Sequence, residues 1–268
     1  MKTNIISIDG KKGSQVDLPL QFFETYRPDL IKRAVITAQS KARQPYGADP
    51  RAGLKTSAHH IARRSCYGSL ANRGIARMKR ITIGTGSLAG TGRVAPHAIK
   101  GRKAHAPKSE KIYAVDINNT ERKLAIRSAI SATADKEIVS GRGHKVDGIT
   151  EFPIICEDKL ETVTKTQDAL KILKSIGLSF DIERSSERKI RAGRGTMRGR
   201  NYRIKKGPLV VVANNKGINE AASNIVGVDV IEVKNLNAEI LAPGTHAGRL
   251  TVWTKSAIEM LEKEKLFM

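Results

Sequence analysis

Arginine and lysine crowd two stretches of this 268-residue chain, in a pattern suited to holding phosphate groups. One stretch contains Arg191-Ala-Gly-Arg194-Gly-Thr-Met-Arg198-Gly-Arg200-Asn-Tyr-Arg203. A guanidinium forks onto phosphate oxygens and also stacks on unpaired bases. The interleaved glycines let one backbone lie close against another. Residues 184–206 as a whole carry ten cations against one carboxylate, Glu187. Residues 41–111 carry 16 cations against two, Asp49 and Glu110. Cations at this density neutralise phosphates, and the counterions they release drive binding. The remaining 174 residues have a net charge of −1, so a neutral body bears two intensely basic segments. A solvated charged face mixes both signs; the near exclusion of acid here points to a polyanion.

The first segment has only two aromatics, Tyr46 and Tyr67. Stacking platforms of the single-strand-binding kind are therefore not its main device, and recognition by shape and phosphate fits better. A membrane surface would need an amphipathic helical face, which nine glycines and Pro45, Pro50, Pro96 and Pro107 deny it.

Two further patterns imitate an enzyme. Thr85-Gly86-Ser-Leu-Ala-Gly90-Thr-Gly92 fits TGxxxGxG, and Tyr202 to Lys206 fits YxxxK, as in short-chain dehydrogenases. In that chemistry the glycines admit a pyrophosphate at a helix start, and the lysine lowers the tyrosine pKa. The context fails twice. No helix can follow through Pro96, Gly101 and Pro107, and Tyr202 lies among arginines. His59 and His60 are adjacent, so they cannot share a helical face as metal ligands. His97, His105, His144 and His246 are scattered without carboxylate or cysteine partners, which makes them surface or RNA-contacting residues. No catalytic pair, metal site or cofactor is expected.

The elements that must carry the cations come from the neutral body. Asn4 to Ile8 reads as a strand, ended by Asp9-Gly10. Pro28 to Arg43 places Leu30, Ile31, Ala34, Val35 and Ala38 on one helix face. Asn118 with Glu121 opens another helix, Pro153 to Cys156 is a short buried strand, and Thr166 to Ile176 is a helix closed by Gly177. Pro208 to Ala213 has the continuous β-branched character of an inner parallel strand. A turn at Asn214 to Gly217 leads to a short helix from Ile218 to Ile225. Val228 to Val233 and Leu250 to Trp253 predict two more buried strands, and Ser256 with Glu259 predicts a capping box for a final helix. The expected fold is α/β: a mostly parallel sheet flanked by helices in a single domain, 1–268, with a long basic loop projecting from it. That loop, 41–111, is far longer than the usual connection of about 4–6 residues, so it is read as functional.

Net charge is +22, and no apolar run approaches the roughly 20 residues of a membrane span. The first residues lack the pattern of a secretory signal. Two cysteines, Cys66 and Cys156, are too few for a disulfide framework, and neither forms a CxxC pair. A reducing, cytoplasmic protein is expected. A stand-alone nucleic-acid binder or RNA chaperone would share these features.

The run Leu88 to Arg93 (LAGTGR), followed by Gly101-Arg-Lys-Ala-His-Ala-Pro107, resembles large-subunit ribosomal protein four. Arg188 to Val212 (RKIRAGRGTMRGRNYRIKKGPLVVV) and Leu241 to Ala257 (LAPGTHAGRLTVWTKSA) are similar to the archaeal and eukaryotic branch. Lack of a long basic tail favours an archaeal source. The resemblance implies a globular domain on the subunit surface and an extension buried in large-subunit rRNA. The extension's tip would help form the constriction of the nascent-peptide exit tunnel, beside ribosomal protein twenty-two. By motif, that tip comprises Arg80, Gly84, Gly86, Gly90, Gly92 and Arg93. The stem contacts would be Lys41, Arg43, Arg51, Arg63, Arg64, Arg73, Arg77, Lys79, Lys100, Arg102 and Lys103. The second segment would add Arg191, Arg194, Arg198, Arg200 and Arg203.

Overall fold

The computed structural model describes residues 2–81 and 86–268. Two compact units are present: residues 2–42 with Val115–Met268, and Arg43–Ala114.

The larger unit is built on a six-stranded sheet. The chain opens with β1 (Lys2–Ile6), turns at Gly10 (φ +82°) and returns as β2 (Lys12–Asp17). Helix α1 follows at Pro28–Ala42. The smaller unit, which lies between α1 and α2 in sequence, contributes β3 (His59–His60) and β4 (Lys79–Arg80). Then come α2 (Asn119–Ala134), α3 (Lys136–Gly141), β5 (Ile154–Cys156), α4 (Thr166–Leu173) and α5 (Ser179–Ser186). A hairpin of β6 (Arg188–Ile190) and β7 (Tyr202–Ile204) precedes β8 (Leu209–Val212). The chain finishes with α6 (Ile218–Ala222), β9 (Asp229–Glu232), α7 (Ala238–Leu241), β10 (Thr251–Thr254) and α8 (Lys255–Lys263).

The strand order is β2-β1-β5-β10-β8-β9. Only the β1–β2 pair is antiparallel, so the sheet is mostly parallel and the fold is α/β. Alternation along each strand explains why helices cover both faces. Ile5, Ile155, Trp253, Val211 and Ile231 form one row across five strands, in register through the ladder. They pack on Ile31 and Val35 of α1, Ile126 and Ile130 of α2, and Ile258 and Leu261 of α8. The neighbouring positions Ile6, Cys156, Ile154, Val252, Val210 and Val212 face the other way, against α4 and α6. Burial pushes the Cys156 thiol up to about 12, so it serves here as a small apolar side chain.

Several boundaries differ from the sequence reading. β2 carries no apolar alternation and is almost wholly exposed, so hydropathy alone does not predict it; its pairing with β1 creates it. β9 is the edge strand and only half-buried, not an inner one. Gly177 (φ +98°), by contrast, ends the helical run that begins at Thr166, as the sequence predicts, and the chain turns there straight into α5; a Cβ on it would collide with the Gly148 carbonyl oxygen. Asn118 occupies the N-cap of α2 but makes no side-chain cap bond. The cap of α8 is Thr254, whose Oγ1 accepts from the Ala257 N–H, while Ser256 Oγ donates to Glu161 (2.8 Å).

Trp253 is the largest fully buried side chain, edge-on to Phe22 at 5.2 Å between ring centroids. Its removal opens a cavity at the middle of the sheet. Trp253→Ala should cost about 3–5 kcal/mol of unfolding free energy, measured by denaturant titration; a change under about 1 kcal/mol would contradict this packing.

Candidate nucleic-acid interface

In the smaller unit, the two arms of a long excursion run side by side. Near its ends, the rings of Tyr46 and Tyr113 are parallel within 5° at 6.5 Å, and the Arg43 guanidinium lies 4.1 Å over the Tyr113 ring. Further along, Ala48 N–H donates to the Pro107 carbonyl (3.1 Å). Gly53, at φ +79°, lets the arms close to where a Cβ would meet the Arg102 nitrogen at 2.5 Å. Beyond that, β3 pairs antiparallel with β4, and Arg80 bridges to Gly92. At Gly92 the arms are close enough that a Cβ would displace the Met78 side chain. These contacts, some between side chains and some between main chains, join positions far apart in sequence, and together they order a segment with no sustained hydropathy period.

Most of the predicted phosphate ligands point to solvent. Arg43, Arg51, Arg63, Arg64, Arg73, Arg77, Lys79, Lys100, Arg102 and Lys103 are all exposed. Lys41 is exposed too, but it sits on α1 and pairs with Asp116 at 2.9 Å. Among the described residues, none of the others named has a carboxylate partner. Two of the three acids are held by different lysines: Asp49 is kept below its usual carboxylate range by Lys55, and Glu187 by Lys205.

The expected tip residues divide. Gly84 lies outside the described residues. Gly86 (φ +144°) and Gly90 (φ +69°) take backbone conformations that favour glycine, within a turn closed by Ala89 N–H to the Gly86 carbonyl (3.1 Å). Arg80 is half-buried and donates to the Gly90 and Ala76 carbonyls (2.8 and 3.0 Å). Arg93 is buried at 8% exposure, and its guanidinium donates to the Ile99 carbonyl at 2.6 Å. In this conformation both arginines brace the arms internally. No helix follows the glycines, and Tyr202 stands on exposed β7, so neither half of the dehydrogenase pattern finds its required setting.

The second basic segment is a hairpin on the larger unit. β6 and β7 pair antiparallel, with Gly193 (φ +83°) and Gly199 (φ +74°) making the left-handed turns at its end. Arg194, Arg198, Arg200 and Arg203 are exposed, and Arg191 is half-buried. Exposed Ile190, Met197, Tyr202 and Ile204 alternate with them, giving the hairpin an apolar surface that the charge pattern does not predict. Arg184 belongs instead to α5, where its Nε donates to buried Asp181 at 2.7 Å.

Two groups escape sequence reasoning. Tyr113 lies just past the expected end of the basic loop, and only its pairing with Tyr46 reveals its use. His144 is a correction: it is buried, with Nδ1 3.0 Å from Asp181 Oδ2, and is neither at the surface nor lacking a carboxylate. Their separation of 37 positions leaves no local signal. Burial lowers the His144 pKa despite that carboxylate, favouring the neutral ring. Among the described residues, no helix is long and apolar enough to cross a membrane, and no cluster of three His, Cys, Asp or Glu side chains could hold a metal.

A parallel α/β body accompanied by unpaired, solvent-facing cations is the build of a polyanion-binding structural protein. The model of the ribosomal protein L4/L1 family matches residues 16–264, and the chain belongs to that structural, non-enzymatic family. It is 50% identical over 261 residues to the large ribosomal subunit protein uL4 of Methanosphaera stadtmanae, covering 97% of this chain and 96% of the relative. It is 45% identical to uL4 of Halobacterium salinarum over 260 residues and 44% identical to that of Archaeoglobus fulgidus over 262. Each covers 97% of this chain and 98% of the relative.

The aromatic clip has a measurable consequence. A stacked pair is worth about 0.5–1.5 kcal/mol beyond its buried area. Tyr113→Ala should therefore speed trypsin cleavage within residues 43–114 while the melting of the larger unit stays unchanged; an unchanged cleavage rate would show that the clip does not hold the arms.

Proposed function

We propose that the protein is a structural constituent of the large ribosomal subunit, binding large-subunit rRNA through its two basic segments. The segment 41–111 threads between rRNA helices as one long extension of the α/β domain. Its tip, around Arg80 to Arg93, contributes to the constriction of the peptide exit tunnel beside ribosomal protein twenty-two and meets the nascent chain. The work is electrostatic and steric: cations neutralise closely packed phosphates, supporting subunit assembly and translation in the cytoplasm. The observation that carries this reading is the exposure of so many cations without carboxylate partners on both extensions. Membership of a ribosomal protein family supports it independently.

High-salt sucrose gradients of native lysate test the assignment. The protein should co-sediment with the large subunit at equal stoichiometry after the wash. Release to the top of the gradient would favour an exchangeable nucleic-acid binder, because exposed electrostatic binding weakens steeply with salt. In direct titrations with an rRNA transcript, Arg198→Gln/Arg200→Gln should lower the slope of log K against log[salt] by about 0.9 for each phosphate no longer neutralised. Deletion of 77–93 should leave the α/β domain folded, by circular dichroism and thermal melting, while impairing subunit assembly. Loss of folding would overturn this division of labour.

A further inference from the structure

A cleft of about 660 Å³ opens in the α/β unit. It is lined by Arg142 after α3, His144, Arg184 of α5, Lys206 beyond β7, and His246. Two carboxylates stand near it, and both are already in use. Asp181 is fully buried and takes His144 Nδ1, Arg184 Nε and the Lys145 N–H (3.0, 2.7 and 3.1 Å). Asp229 takes Arg249 at 2.5 Å and Lys206 at 2.9 Å. Arg142 has no such partner among the described residues; it donates only to the Pro243 and Ala247 carbonyls (2.7 and 3.5 Å).

The cluster therefore holds four cations (Arg142, Arg184, Lys206 and Arg249) against two carboxylates, beside a cavity with room for a further group. Burial, with Arg249 and Arg184 nearby, pushes the Arg142 guanidinium down to about 10. A half-buried cation repelled by its neighbours is unfavourable unless an anion joins it. Its planar donor fork matches phosphate oxygens, and Lys206 adds a point charge at the exposed rim.

We propose that this cleft is a phosphate-binding site, with Arg142 as its principal ligand and Lys206 as its second. The phosphate belongs to an RNA backbone. The cleft opens at the foot of the arginine hairpin, where Arg184 donates to the Lys206 carbonyl (2.7 Å), so the positive surface of β6–β7 continues into it. For this RNA source the inference rests on the rRNA reading above; the phosphate chemistry itself does not.

The test uses the full-length protein with three probes: an rRNA transcript, inorganic phosphate and AMP. Phenylglyoxal labels arginines, and peptide mass spectrometry reads the modification of Arg142. Slower labelling with the transcript, but not with phosphate or AMP at matched ionic strength, is expected. Protection by phosphate or AMP alone would keep the site and overturn its RNA source. Arg142→Gln should lower the salt slope of transcript binding by about 0.9, the value for one phosphate. Lys206→Gln, at an exposed position, should do the same if the first variant fails to fold. An unprotected Arg142 with all three probes, together with unchanged slopes in folded variants, overturns the proposal. Failure of the wild-type protein to bind the transcript would instead count against the rRNA reading, leaving the phosphate and AMP arms to decide the cleft.

Discussion

Mutual repulsion among the cations of residues 41–111 and 184–206 is the constraint to which the rest of the molecule answers. Two unit charges 4 Å apart interact by about 1 kcal/mol in water, and each segment brings many such charges together with almost no acid. Ion pairs inside the segments cannot relieve this, because Asp49, Glu110 and Glu187 are too few. The smaller unit is held by contacts indifferent to charge: Tyr46 on Tyr113, Ala48 with Pro107, Gly53 against Arg102. Its arginines contribute mainly where they reach carbonyls, as Arg80 and Arg93 do. The remaining cations stay hydrated and available to phosphate.

Neutrality of the α/β body is the other side of the same constraint. Its stability comes from the two apolar faces of the sheet, which no polyanion needs to complete. The row from Ile5 to Ile231 and the opposite-facing side chains, among them Ile6, Cys156, Val210 and Val252, are matched by helices on either side. One buried carboxylate shows how the body satisfies charge locally. Glu161 takes the Ala213 N–H and the hydroxyls of Thr254 and Ser256, tying the ends of β8 and β10 to one carboxylate.

Much of this body was legible in the sequence because its signals are local. The β-branched run at 208–213 could only be an inner strand, and the apolar spacing of Ile31, Ala34 and Val35 predicted α1 to within a residue of its end. What was illegible depends on partners distant in sequence. β2 exists because β1 offers an edge, and α8 is capped by Thr254 because β10 delivers that residue into the helix. The cation-rich segments were legible as chemistry but not as geometry. Charge density names the partner class, yet nothing in a glycine-rich run gives the register of β3 on β4 or buries Arg93.

Burial separates two roles for the same side-chain type. Arg249 is almost fully buried, reaches the Gly207 carbonyl and Asp229, and spends its donors on the fold. Arg198 and Arg200 are exposed, without carboxylate partners among the described residues, and spend none there. An enzyme active site would combine burial with an unsatisfied group, because exclusion of water is what sharpens electrostatic chemistry. The dehydrogenase-like pair instead puts its tyrosine on an exposed strand and its lysine on Asp229. Arg142 stands between these cases, too enclosed to be a hydrated surface cation and too poorly compensated to be a structural one. Its position at the foot of an arginine hairpin makes phosphate the anion that reconciles the two.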